Sequence, residues 1–238
     1  MNKNMIKQGL LLICVVLFLV SVSQVVTILY RYGQGRMAYQ KLEESAGIEK
    51  KEEEKIDFQR LAEINEEVIG WLIVDGTDIS YPIVQHEDNA YYLNHLFTGE
   101  EHPAGSIFLD ATNSADFSDQ NSILYGHNMK DGSMFGQLDK FQEETFFHQY
   151  PSFRLLTPEK TYRVEVFSAY TALTQDEIWK KTFGENEFYN WTGKIANHSI
   201  IQTDIQFQEN DRIMTLATCS EGGNDKRFVL VGKVAEVI

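Results

Sequence analysis

Ile213-Met-Thr-Leu-Ala-Thr-Cys219 and Arg227-Phe-Val-Leu-Val231 flank a short glycine-containing segment and read together as a β-hairpin. The first arm ends on a cysteine, residues 220–226 form the loop, and an arginine opens the return strand. Far upstream, Ile123-Leu-Tyr-Gly-His127-Asn sets a histidine beside another strand-like run. A cysteine attacks a carbonyl carbon as its thiolate, and a neighbouring histidine can take or return the proton. His127 and Cys219 are 92 positions apart, so strands must bring them to one face of the fold. Arg227 is permanently cationic and carries a planar fork of donors suited to a developing oxyanion. Taken singly, each has an ordinary explanation: a buried thiol, a capping histidine, a surface ion pair. Their order and company along one chain are what point to chemistry.

Working outward, Gly70-Trp-Leu-Ile-Val74, the turn-like Asp75-Gly-Thr-Asp78 and Ile79-Ser-Tyr-Pro-Ile-Val84 form a second hairpin. Segments 105–109, 122–125, 152–157, 162–172, 212–218 and 227–237 complete a set of eight strands. Their number and irregular spacing predict a mainly β fold, a closed or nearly closed antiparallel barrel. Residues 57–68 have helical apolar spacing, and 88–93 are one helical turn or a loop. Two further helical stretches interrupt the strands. Segment 132–150 holds Met134, Phe135, Leu138 and Phe141, and 176–195 holds Ile178, Trp179, Phe183, Phe188, Trp191 and Ile195. Most of these aromatics serve core packing, although an insertion of this length in a small barrel can also shape a binding groove.

Residues 9–30 contain no charge and would rise about 33 Å as a helix, enough for a hydrocarbon core of about 30 Å. A cleaved signal peptide with Ser21-Val-Ser23 as its small-residue site is the competing reading. The apolar stretch runs on through Val25, Val26, Ile28 and Leu29, beyond an h-region of roughly 7–15 residues, which favours an uncleaved anchor. The predicted organisation is a short cytoplasmic tail (1–8), a transmembrane anchor (9–30), a charged helical stalk (31–60) and a catalytic domain (61–238). Basic residues flank both ends of the span and leave its orientation open. Lys3, Lys7, Arg31 and Arg36 are the only charges in the first 36 residues, so the rest is more acidic than the net charge of −14. A surface that acidic repels phosphate backbones and argues against nucleic-acid binding. Cys14 falls inside the apolar span, so Cys219 has no disulfide partner in the exported domain. The remaining histidines, among them His86, His95 and His102, lack metal-ligand spacing, and neither a metal nor a cofactor is expected.

Thr215-Leu-Ala-Thr-Cys219 with Arg227 eight positions on, and Tyr-Gly-His127-Asn before them, resembles the signature of the sortases. These are cysteine transpeptidases that attach proteins to the cell walls of Gram-positive bacteria. Glu67-Val-Ile-Gly-Trp-Leu72, Tyr81-Pro-Ile-Val-Gln85, Asp88-Asn-Ala-Tyr-Tyr-Leu93 and His127-Asn-Met-Lys-Asp-Gly-Ser-Met-Phe135 are similar to the class B branch in particular. Ala217 stands where class B members often have serine.

The resemblance covers roughly residues 60–238 and implies an eight-stranded barrel with N-terminal helices and a long helical insertion between strands 6 and 7. It implies catalytic roles for His127, Cys219 and Arg227, a groove lined by Asn89 and Leu93 with Thr218 also near the substrate, and no cofactor. The implied substrates are surface proteins bearing a C-terminal sorting signal. Cys219 would attack the signal's threonine carbonyl and His127 would protonate the departing amine. The acceptor would be a peptidoglycan-precursor amine of lipid II type, or a pilin lysine if the enzyme polymerises pilus subunits. The active domain would be extracellular and the N-terminus cytoplasmic. A wall-associated cysteine peptidase that only hydrolyses usually places its cysteine before its histidine, the reverse of the order here.

Overall fold

A computed structural model of the chain describes residues 3–47, 56–219 and 225–237. The acidic residues Glu52, Glu53 and Glu54 of the expected stalk and most of the expected 220–226 loop lie outside the described residues. The chain divides into a first unit that ends at Ala38 and a second, Tyr39–Ile238.

Helix α1, Lys3–Ser45, begins in the first unit. Its large apolar side chains from Leu10 to Tyr30 are all exposed, so no face of it is turned to a core. Among the described residues it is the one helix long and apolar enough to cross a membrane. Its last turns belong to the second unit, where Tyr39, Leu42 and the following Ala46 are buried. The compact unit therefore starts inside the stretch that the sequence assigned to a stalk.

The second unit is built on eight strands: β1 Val68–Val74, β2 Ile79–Val84, β3 Ile107–Leu109, β4 Asn121–His127, β5 Ser152–Leu156, β6 Thr161–Leu173, β7 Ile213–Cys219 and β8 Lys226–Val237. They close in the order β1-β2-β3-β4-β7-β8-β6-β5. The barrel is not wholly antiparallel, because β2 pairs with β3 and β4 with β7 in parallel. Parallel neighbours need a crossover of about a dozen residues or more, and long connections join both pairs. Alternation within a strand reveals the strand, not the direction of its partner.

The short helices follow the apolar periodicities. Helix α2, Phe58–Ile64, is capped by the Asp57 carboxylate, which accepts from the Arg60 amide at 3.0 Å, and buries Leu61. Helix α3, Glu144–Gln149, follows a 3-10 turn over Leu138–Gln142. Between β6 and β7 the expected long helix is divided. A 3-10 turn, Glu177–Trp179, leads through non-helical backbone to α4, Glu187–His198. The break runs from residue 180 to 186 and ends on Asn186 at φ 60, outside the right-handed helical region. Phe188, Trp191 and Ile195 recur at helical spacing on α4 and pack on Phe167, Ile213, Ala217, Val229 and Val231 of the barrel wall. Each such side chain contributes about 1.5–3 kcal/mol when fully buried. This seam holds the insertion against β6, β7 and β8.

Candidate active site

The parallel register of β4 and β7 pairs Asn121 with Ile213 and, at the far end, His127 with Cys219. Neighbouring strands lie about 4.8 Å apart, so residues distant in sequence become backbone neighbours. β8 runs antiparallel to β7 with Val229 opposite Ala217. Carried two residues further, that register sets Arg227 opposite Cys219. Alternation places positions 127, 219 and 227 on the face that carries Tyr125, Ala217 and Val229, the face against which the insertion packs. The three residues singled out in the sequence thus share one end of one face.

The Tyr-Gly-His string has a local reason. A Cβ at Gly126 would come within 2.4 Å of Ile107 Cδ1 and 2.8 Å of Phe135 Cδ2, so only glycine admits this packing. Phe135 in turn donates its amide to the His127 carbonyl at 2.9 Å and fixes the end of β4. The half-buried His127 imidazole holds Nε2 2.7 Å from the Leu93 carbonyl oxygen. A carbonyl can only accept, so Nε2 carries a proton and Nδ1 is the nitrogen left to exchange one. Leu93 ends the 3-10 turn Tyr91–Leu93, and this turn is buttressed from below. Gly105, at φ +57, passes so close beneath it that a Cβ would stand 2.5 Å from the Tyr92 carbonyl oxygen and 2.7 Å from that of Leu93.

Asp110, immediately after β3, organises the other side of the site. It is 4% exposed and accepts from Asn89 Nδ2 at 3.1 Å, the Tyr125 hydroxyl at 3.1 Å and Lys181 Nζ at 2.6 Å. The Thr112 amide and hydroxyl also donate to it, at 2.9 and 2.8 Å. Burial alone would push this carboxyl up. The Lys181 ammonium and the two Thr112 donors outweigh it and hold Asp110 below the usual carboxylate range. Lys181 belongs to the insertion, so the pair ties the insertion to the barrel. Asn121, fully buried, adds a second tie. Its amide donates to the Ile178 and Lys180 carbonyls, each at 2.9 Å, and its oxygen accepts from Thr215 Oγ1 at 2.9 Å.

A group whose folded pKa is depressed adds stability above its unfolded pKa and loses it as pH falls through the folded value. Lys181→Met should therefore lower stability at pH 7 by about 1.5–3 kcal/mol, the scale of a charged hydrogen bond. The gap to wild type should shrink below the unfolded carboxylate pKa of about 3.9 as Asp110 protonates in wild type too. Thermal unfolding of both proteins across that range tests this, and a gap that stays constant would rule it out.

Asn89 and Leu93 flank the same end of the barrel. Asn89 is exposed, with its side-chain oxygen accepting from the Ala111 amide at 2.7 Å. Thr218 is buried at 1% exposure, and its hydroxyl has no hydrogen-bond partner among the described residues. The cavities of about 460 and 200 Å³ along the insertion are lined by residues such as Glu177 and Lys194, and neither includes His127, Leu93 or Asn89. Asp110, Lys181 and Asn121 were not singled out in the sequence. Asp110 carries a faint signal, an acid directly after the apolar run Ile107-Phe-Leu109, whereas the ion pair spans 71 positions and has none.

A closed barrel that brings a cysteine and a histidine into register beside an arginine has the layout of a cysteine acyl-transfer enzyme. The sortase domain model matches residues 72–235, and the chain belongs to the sortase family of cysteine transpeptidases. It is 38% identical over 181 residues to sortase B of Listeria monocytogenes, covering 75% of this chain and 74% of that protein. It is 31% identical over 210 residues to sortase B of Staphylococcus aureus, 86% of each. The solved Staphylococcus aureus sortase B–substrate complex superposes with a TM-score of 0.80 at 29% identity, covering 88% of this chain and 100% of that one.

Proposed function

We propose that this chain is a membrane-anchored sortase of class B type that cleaves a C-terminal sorting signal after threonine and joins the protein to a peptidoglycan-precursor amine. The observation that carries this reading is the backbone register of His127 with Cys219 in a chain of this family. Cys219 passes its thiol proton to His127, its sulfur adds to the threonine carbonyl, and the oxyanion so formed accepts from the Arg227 guanidinium. His127 gives its proton to the departing amine as the C–N bond breaks, leaving a thioester on Cys219. The acceptor amine then adds to the thioester, its proton passes to His127, and the thiolate leaves. With Nε2 engaged by the Leu93 carbonyl, Nδ1 is the nitrogen that exchanges this proton. Asn89, Leu93 and Thr218 are the residues assigned to the peptide groove. That a relative of the same fold was solved as a substrate complex supports substrate binding by this barrel.

The test is product mass. Purified protein, a sorting-signal peptide and an amine acceptor should give the amide of the two; release of a carboxylate alone would make the enzyme a hydrolase. The apolar part of α1 supplies location rather than chemistry in this reading. A protein beginning at Met37, which keeps Tyr39 and Leu42, should be soluble without detergent and process the peptide at the full-length rate. Loss of peptide activity in that truncation would remove the division between anchor and enzyme.

A further inference from the structure

The last turns of α1 reach beneath the catalytic histidine through one side chain. Tyr39 is buried, and its hydroxyl donates to the Gly105 carbonyl at 2.7 Å and lies 3.1 Å from Ser106 Oγ. Two chains of contact leave this point. Along the first, Ser106 donates its amide to the Tyr92 carbonyl at 3.0 Å and its hydroxyl to the His95 carbonyl at 2.9 Å. Ser106 thus holds the turn Tyr91–Leu93 through its amide while Gly105 packs against the turn's carbonyls, and the Leu93 carbonyl accepts from His127 Nε2. Along the second, the Tyr39 ring meets Tyr81 edge-on at 5.1 Å, and the Tyr81 hydroxyl accepts from the Met134 amide at 3.1 Å. Met134 bridges to Asn128, and the next residue, Phe135, donates to the His127 carbonyl. One path ends on the His127 ring and the other on its backbone.

We propose that Tyr39 is a positioning residue for His127, so that the C-terminal end of the anchor helix belongs to the catalytic apparatus. The hydroxyl is the working group. Packing alone would be met by phenylalanine, but only a donor can fix the Gly105 carbonyl, and with it the height of the turn that presents the Leu93 oxygen. The proposal rests on His127 being the proton-transfer residue. A small displacement of such a group costs turnover more than substrate binding, because proton transfer depends on hydrogen-bond geometry.

The test uses the full-length protein in detergent with a sorting-signal peptide and an amine acceptor. Tyr39→Phe should lower kcat about tenfold with KM within about twofold, and Ser106→Ala should act in the same direction. The Nε2-bound proton resonance of His127 should move in both variants. Leu42→Ala, which removes a buried side chain of the same helix that has no hydrogen-bonding group, should lower Tm and leave kcat and that resonance in place. A Tyr39→Phe enzyme within about threefold of wild-type kcat, or an equal loss in Leu42→Ala, overturns the positioning role. His127→Ala is measured alongside: if it keeps activity, the functional reading itself fails, and if it is inactive while Tyr39→Phe is normal, only this inference does.

Discussion

Replacing Cys219 with alanine should abolish both cleavage and transpeptidation of a sorting-signal peptide while the barrel stays folded. Alanine removes only the sulfur, and the chain's other cysteine, Cys14, lies in the apolar part of α1. Loss of a covalent nucleophile costs about four orders of magnitude or more in kcat, because the acyl intermediate cannot form. Wild-type protein incubated with peptide should carry the acyl mass on Cys219, and the variant should carry none. An active Cys219→Ala protein would dismiss the mechanism outright.

Arg227→Lys is the sharper experiment, because it keeps the charge and removes the shape. Arg227 lies half-buried on β8, opposite Ala172 of β6 and, by register, opposite Cys219. If it donates to an oxyanion, an ammonium on a flexible stem cannot reproduce the planar fork. kcat/KM should fall by about two orders of magnitude, equivalent to about 2.7 kcal/mol of transition-state stabilisation. If Arg227 only biased Cys219 toward thiolate, lysine would restore most of the rate. Thermal stability should change by no more than about 1 kcal/mol, the scale of a surface-proximal ion pair. A lysine variant within fivefold of wild type would take Arg227 off the catalytic list.

The strands were legible because each is a short apolar run between turn residues, and all eight predicted segments are strands in the structure. The parallel pairings were not, since pairing direction is set by connections that carry no local pattern. The expected single helix at 176–195 overran because apolar spacing from Ile178 to Ile195 is helical, while residues 180–186 between them are not helical. The Cys-His-Arg constellation could be read because it sits at strand ends, where sequence and register agree. What surrounds it could not. The Asp110–Lys181 pair, the Asn121 ties and the reach of Tyr39 to Gly105 all join residues tens of positions apart, through polar side chains that look like ordinary surface in a linear reading.

The placement of β7 has a consequence for how the enzyme comes into being. It is the seventh strand in sequence, yet it slots between the fourth and the eighth. Such long-range parallel pairing is intrinsically slow, because loop-closure entropy is lost before the contacts are made. Until that seam forms, the register that sets His127 opposite Cys219 does not exist. If the two residues act as proposed, the chemistry arises only with ring closure: the barrel's last seam is also its safety catch.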